Sequence, residues 1–371
     1  MTTVGSLFTG YGGLDMAVRM ALDPGARVAW TSDVEPGPCR LAEVRWPGVP
    51  NLGNVTQVDW SGVEPVDIIC GGSPCQDLSN AGRRAGMAPG TRSGLWESMF
   101  EAIKTLHPRL VVWENVRGSL TSGAYSLVES EQGLLGDGAD GPDLRAAGRV
   151  VGDLATIGYD AQWCVVRASD VGAPHRRERL FVTGHPAGEP WCLRGLAGAG
   201  EAAGRWALGE SRGSDRAPGT LIPTPQATNA TASSTGYGAN LHEVARELLQ
   251  TPGAGDSVMG LPRTSGRPPE KPSRIESPDY GVYAPVIARW EQVLGRPAPA
   301  PTVPPTREGG RSRLSTRFVE WLMGLEAGHV TGEDLGLTRE QELRLLGNGV
   351  VPQQGAAAIY QLTAIAIKEA A

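Results

Sequence analysis

Over the first 185 or so residues, short apolar runs rich in Val and Ile alternate with stretches of helical period. A chain shows this pattern when each strand must be carried back over a sheet before the next can lie parallel to it. This half is therefore expected to form an α/β domain around a parallel sheet with crossover helices. The strand candidates are residues 4–8, 28–34, 66–71, 110–113, 161–166 and 179–182. Between the third and fourth, Leu95, Trp96, Met99, Phe100, Ile103 and Leu106 recur at the spacing of one helix face and predict a helix packed on the core.

The pattern stops near His185. From 184 to 311 the chain is dense in Gly, Pro, Ser and Thr, broken only by short periodic pieces such as 241–249, and reads as a separate loop-rich module. Thirteen Lys and Arg against twelve Asp and Glu give that stretch about +1, while the whole chain carries −6. The remainder is then about −7, a contrast with the sign expected of a part that faces a polyanion. Regular structure returns at 312. RFVEWLMGL has helical period, Thr338 and Gln341 have capping-box spacing, and Pro352 opens a helix through Ile359, Leu362 and Ala366. This tail is expected to pack back on the first domain, which divides the chain into 1–183, 184–311 and 312–371. The Gly-rich residues 133–142 read as a surface loop.

A net charge of −6 excludes a histone-like polycation that holds nucleic acid by bulk charge, so such binding would need local basic patches. The opening MTTVGSLF has neither a basic stretch nor a long apolar run, and residues 356–367 fall short of the roughly 18 that suggest a membrane span, so a cytoplasmic protein is expected. The five cysteines, Cys39, Cys70, Cys75, Cys164 and Cys192, are odd in number and contain no C-x-x-C pair. Neither a disulfide framework nor a zinc ribbon is indicated, which leaves room for a working thiol.

The first strand runs into FTGYGG at 8–13, followed by LDMAVRMA at helical period. Glycines there let the backbone approach a nucleotide-like ligand at a helix N-terminus. Asp33 closes the second strand 20 residues after Gly13, where an acid can accept from both ribose hydroxyls, although Asp15 stands where a third glycine would complete GxGxxG. The third strand ends in GGSPCQ, putting Cys75 at the carboxyl end of a central strand, the edge where open α/β sheets keep their sites. The fourth ends in Glu114-Asn115-Val116, so Glu114 leaves the same edge. In HRRERLF, alternation puts Arg177 and Arg179 on one face, able to reach a phosphate and a carbonyl together. Gly347-Asn348-Gly349-Val350 forms a turn before the Pro352 helix.

In this order FTGYGG, SPCQ, ENV, HRRERLF, a variable stretch and GNGVVP resemble the motifs of the cytosine-C5 DNA methyltransferases. RFVEWLMGLEAGHVT is similar to methylases encoded by bacteria and their phages. The likeness covers about residues 4–183 and 312–367, and 184–311 resembles a target recognition domain in position only. The resemblance implies a Rossmann-like α/β methyltransferase sheet with helices on both faces, plus a smaller loop-rich target recognition domain. It implies S-adenosylmethionine as methyl donor, framed by Phe8, Gly10, Gly12, Gly13 and Leu14. Asp33 would hold the ribose, Val34 would lie beside the adenine, and the oxygen of Asn54, ahead of Val55, would accept from the adenine amino group. Pro74, Leu95, Asn348 and Gly349 would complete the pocket. Three positions depart from the common pattern: Val34 is smaller, Asn54 replaces an Asp, and Gly349 replaces a Ser. No metal is implied.

Cytosine C5 is too electron-poor to attack a methyl donor until a thiolate adds at C6. The resemblance makes Cys75 that nucleophile. Glu114 would contact N3 with its proton on, which requires a raised pKa. Arg179 would hold the O2 carbonyl and Arg177 the backbone phosphate. The target base must leave the duplex, so the loop 76–92, with Gln76, Ser79, Arg83, Arg84 and Arg92, is expected to close over it while 184–311 reads base edges. Double-stranded DNA is the expected partner, acted on by a monomer, with a cognate restriction endonuclease as a further one. Two rivals share the motifs. An RNA (tRNA) cytosine-C5 methyltransferase is disfavoured by the size of the variable module, and a catalytically silent DNA-binding relative by the intact Cys75, Glu114 and Arg179. The glycine turn alone would also allow a nucleotide-dependent oxidoreductase.

Overall fold

The computed structural model describes residues 1–73, 95–120, 123–124, 144–189, 220–226, 241–250, 280–305, 310 and 312–369. The main sheet is built from β1 (Thr3–Leu7), β2 (Arg27–Ser32), β3 (Ile68–Gly71) and β4 (Leu110–Val116), which run parallel. A small antiparallel pair, β5 (Gly123–Ala124) with β6 (Leu144–Arg145), stands apart. β7 (Tyr159–Arg167) and β8 (Glu178–Pro186) complete the main sheet in the order β2-β1-β3-β4-β8-β7.

The expected parallel sheet is thus mixed, because β8 pairs antiparallel with both β4 and β7. Residues 168–177 join β7 to β8 through a single 3-10 turn, too short for a crossover helix, so the chain folds straight back. Several strand ends also differ from expectation, two of them beside the site. β2 stops at Ser32 because the Asp33 N–H donates to Asn51 Oδ1 at 3.0 Å instead of to the ladder. β4 continues past Trp113 to Val116 because β8 pairs with it as far as Val116–Arg179, which makes Glu114 a strand residue.

Helices α1 (Gly13–Ala21), α2 (Pro36–Arg45), α3 (Trp96–Leu106) and α4 (Ala146–Thr156) belong to this half. Period-two alternation divides the strands between two cores. Ile69, Val111 and Trp113 join Trp30, Trp96, Met99, Ile103, Val150 and Leu154 on one face, while Ile68, Cys70 and Val112 join Leu14, Val18, Phe181, Ile359 and Leu362 on the other. The α3 stripe is buried as its spacing predicted, through Trp96, Met99, Phe100 and Ile103.

Later in the chain come α5 (Leu241–Gln250), α6 (Ala284–Leu294), α7 (Thr316–Leu322), α8 (Arg339–Asn348) and α9 (Pro352–Glu369). The C-terminal segment lies against the sheet. α9 packs on α1, β7 and β8, and Gln354 Nε2 donates to the carbonyls of Val166 and Arg177. Thr338 and Gln341 form the anticipated capping box at α8. The described parts of 184–311 are less separate than composition suggested. Tyr283, Ile287 and Trp290 share one core with Phe318, Trp321 and Leu346, and the strand pair β9 (Thr302–Val303) with β10 (Arg313–Leu314) straddles the expected boundary. Residues 133–142 and Cys192 lie outside the described residues, and among those described no helix is long and apolar enough to cross a membrane.

Candidate active site

The turn after β1 takes left-handed backbone at Phe8 (φ 53°), Gly10 (φ 55°) and Gly12 (φ 78°) before α1 begins. Its shape is tied to the end of β2. The Gly10 N–H donates to Asp33 Oδ2 and the Glu35 N–H to Oδ1, both at 3.0 Å. Burial raises the Asp33 pKa, against the backbone hydrogen bonds that favour its anion. Beneath the turn Asp15 is buried, with the Ser6 hydroxyl donating to Oδ2 at 2.8 Å and Cys70 Sγ 3.8 Å from Oδ1. Burial pushes the Asp15 carboxyl up to about 6.

These elements wall a cleft of about 580 Å³ at the carboxyl ends of the parallel strands. Phe8, Gly10, Gly13, Leu14, Asp33, Val34, Asn54, Val55, Leu95, Asn348 and Gly349 line it, and so do Glu114 and Arg179. The cleft thus brings together most of the described residues that the sequence singled out, and its volume suits a ligand of nucleoside-plus-amino-acid size. Gly12 is not in the lining. It caps α1, and a Cβ there would meet the Trp46 ring. Gly72, Ser73, Val116, Glu35 and Arg344 also face the cleft; the first three stand in GGSPCQ and ENV but were given no role there, and Glu35 and Arg344 lie in no motif.

Glu114 and Arg179 form the floor pair, with Arg179 Nε 2.9 Å from Glu114 Oε1. Burial raises the Glu114 pKa, opposed by Arg179 and then Arg177. A carboxyl that leans toward its protonated form beside a fixed guanidinium can present a donor and hold an acceptor at once. Gly72 makes room for it, since a Cβ would stand 2.8 Å from Glu114 Oε2. Trp113 Nε1 donates to Ser73 Oγ at 3.1 Å and Asn115 Nδ2 to the Ser73 carbonyl at 3.4 Å, which anchors the start of the next segment. Pro74, Cys75, Gln76, Ser79, Arg83, Arg84 and Arg92 lie outside the described residues.

Residues 2–196, just over half of the chain, match the family described as C-5 cytosine-specific DNA methylase. The chain belongs to that family. Among curated proteins it is 26% identical over 187 residues to the type II methyltransferase M.NlaIV of Neisseria lactamica, covering 50% of this chain and 41% of that one. It is 28% identical over 193 residues to M.AquIA of Picosynechococcus, covering 50% and 72%. The chain spans about two fifths of the length of the first of these relatives. Its fold is similar to that of the S. pombe Dnmt2 methyltransferase, with a TM-score of 0.55 and 14% identity, the match covering 100% of this chain and 99% of that one.

Within this family framework two residues depart from their expected roles. Arg177, expected on a phosphate, is 3% exposed and turns inward. Its Nη1 donates to the Pro225 carbonyl at 2.9 Å, and its Nη2 to those of Gly347 (3.0 Å) and Gly349 (2.5 Å). It precedes β8 with φ 27°, so strand alternation with Arg179 does not extend to it. Asn54 Oδ1 accepts from both the N–H and the hydroxyl of Thr56, at 3.1 and 3.0 Å. The oxygen expected on an adenine amino group is therefore engaged, and the amide nitrogen, a donor, is the side chain's other polar group. Gly349, where the common pattern has Ser, has a local cause. The Tyr11 hydroxyl donates to the Val350 carbonyl at 2.7 Å, and its ring fills the space a Cβ at 349 would need.

Proposed function

We propose that this chain methylates C5 of a cytosine flipped out of a specific duplex DNA sequence, using S-adenosylmethionine. The observation that carries the reading is the buried Glu114–Arg179 pair on the floor of the same cleft whose walls are Phe8, Asp33, Val55 and Asn348. When bound, the donor supplies an electrophilic methyl group. Asp33 would accept from the ribose hydroxyls, Val34, 64% exposed at the rim, would cover one face of the adenine, and the Phe8–Leu14 turn and Asn348 would hold the amino-acid end.

On the base, the Cys75 thiolate forms a bond to C6, and the ring becomes electron-rich at C5. The electron pair arriving at N3 is matched by the proton that Glu114 carries, and Arg179 holds the O2 carbonyl. After transfer the C5 proton leaves to water, the N3 proton returns to Glu114, the C6–sulfur bond breaks, and the thiolate is restored. Extrusion of the base costs a few kcal/mol, offset by contacts to the flipped nucleotide. Acting on one strand, the enzyme needs no symmetric partner. A cognate restriction endonuclease is the partner that its likeness to type II methyltransferases suggests.

The test is duplex DNA carrying 5-fluorocytosine, incubated with the protein and S-adenosylmethionine. Fluorine cannot leave as the C5 proton does, so a denaturation-resistant protein–DNA adduct is expected, absent with Cys75→Ala. No adduct on DNA of mixed sequence, with donor binding intact, would overturn the reading. An adduct on tRNA instead would transfer the chemistry to RNA.

A further inference from the structure

Three arginines at the edge of the site have no role in the chemistry above: Arg117, Arg167 and Arg176. They come from three elements. Arg167 ends β7 opposite Glu178, the first residue of β8, and Arg117 follows β4 one step beyond the Val116–Arg179 pair. Arg176 belongs to the turn that leads into β8. The antiparallel register therefore gathers them at the end of the sheet where Glu114 and Arg179 open into the cleft.

All three converge on one carboxylate. Arg117 Nη1 is 3.0 Å from Glu178 Oε2, while Arg167 Nε and Arg176 Nη2 are 2.8 and 2.9 Å from Oε1. The Glu178 side chain is only 16% exposed, whereas Arg117, Arg167 and Arg176 are 59%, 44% and 59% exposed. Asp170, which accepts from the Arg167 N–H at 2.8 Å, is the other carboxylate beside them. Arg289, whose fork donates to the carbonyls of Gly172 and Ser169, offsets its charge. Four guanidiniums thus face two carboxylates among the described residues. Burial opposes ionisation of Glu178, but hydrogen bonds from Arg167, Arg117 and Arg176 outweigh it and hold its pKa at about 2, so the hub stays anionic.

One carboxylate would suffice for one surface ion pair, and exposed pairs add little stability. Three guanidiniums on it leave surplus positive charge toward water, each with N–H groups beyond those given to Glu178. The hub is also linked to the floor pair, since Arg179 Nη1 donates to the Glu178 carbonyl at 2.9 Å. We propose that Arg117, Arg167 and Arg176, gathered by Glu178, form a platform for the DNA sugar-phosphate backbone beside the flipped cytosine. It takes the place of the phosphate contact that the inward-turned Arg177 does not present. The inference rests on the proposed DNA substrate. Such contacts set position and carry no sequence information.

The test is duplex DNA binding by fluorescence anisotropy across a salt series, with S-adenosylmethionine affinity measured alongside. Each of Arg117→Gln, Arg167→Gln and Arg176→Gln is expected to flatten the slope of log affinity against log salt by about 0.9, equally on target and non-target duplexes. The triple variant should lose about 40-fold less affinity than the wild type between about 50 and 200 mM salt. S-adenosylmethionine affinity at the wild-type value in each variant separates loss of a phosphate contact from misfolding. A triple variant that keeps this affinity and has the wild-type slope would overturn the platform. Wild-type protein that binds S-adenosylmethionine but no duplex DNA would instead overturn the proposed substrate, and the platform with it.

Discussion

On the two sides of the entry to β8, neighbouring arginines meet opposite environments. Arg176 is exposed and shares the Glu178 carboxylate with Arg117 and Arg167, so charge accumulates where a polyanion could be met. Arg177, the next residue, is buried and spends its fork on the carbonyls of Pro225, Gly347 and Gly349. The Pro225 carbonyl lies within the variable stretch, and those of Gly347 and Gly349 belong to the end of α8 and the turn that lines the cleft with Asn348. The first side is organised by ion pairs screened by solvent, the second by charge-assisted hydrogen bonds in a site closed to water. The carboxylates show the same division. Glu178 is held ionised by its arginines, while Asp15, whose burial outweighs its hydrogen bonds, is pushed toward its neutral form.

The largest effect should come at Glu114, where the two sides meet. Glu114→Gln is expected to lower the single-turnover rate of methyl transfer by at least about 100-fold while donor affinity is retained. A variant that transfers at the wild-type rate would dissociate the floor pair from the chemistry.

Next comes the buried acid. Below about pH 4 Asp15 is protonated in folded and unfolded chains, and above about pH 6 it is ionised in both. Between these limits the folded state binds more protons, so the stability associated with the raised pKa is lost as pH rises. Relative to wild type, Asp15→Asn should therefore gain about 3 kcal/mol between pH 4 and pH 7 in denaturant unfolding.

Arg177→Lys keeps the charge but not the fork, and should weaken S-adenosylmethionine binding by about 10-fold or more in titration calorimetry. Its slope of DNA affinity against salt should stay at the wild-type value, the reverse of the outcome for the exposed trio. A flattened slope with unchanged donor affinity would place Arg177 on a phosphate after all. Smallest of all, Asn54→Asp leaves one oxygen for Thr56 and supplies a second acceptor, which should tighten donor binding by about 3- to 10-fold.

Much of the site was legible before any coordinates. Phe8, Thr9, Gly10 and Gly13 of FTGYGG, Asp33, Asn54-Val55, Leu95, Glu114, Arg179 and Asn348-Gly349 line one cleft, because the strands and turns that carry them meet at the same sheet edge. Three things were not legible. β8 runs antiparallel because of a short connection, whereas apolar runs carry no direction. Arg177 breaks strand alternation at a single positive φ. Glu178, in a motif read for its arginines, acts as a hub only because Arg117 and Arg167 arrive from residues 61 and 11 positions away. The exchange of Ser for Gly at 349 likewise has its cause at Tyr11, 338 positions earlier in the chain.

Local order along the chain determined the alternation of strands and helices, the motifs at their ends and hence the family. These depend on residue spacing and backbone preference, which a sequence carries explicitly. Only the tertiary structure decided which way each charge faces. Whether an arginine meets carbonyls or water depends on what the fold brings beside it, and the electrostatic free energy of a charge follows that surrounding dielectric.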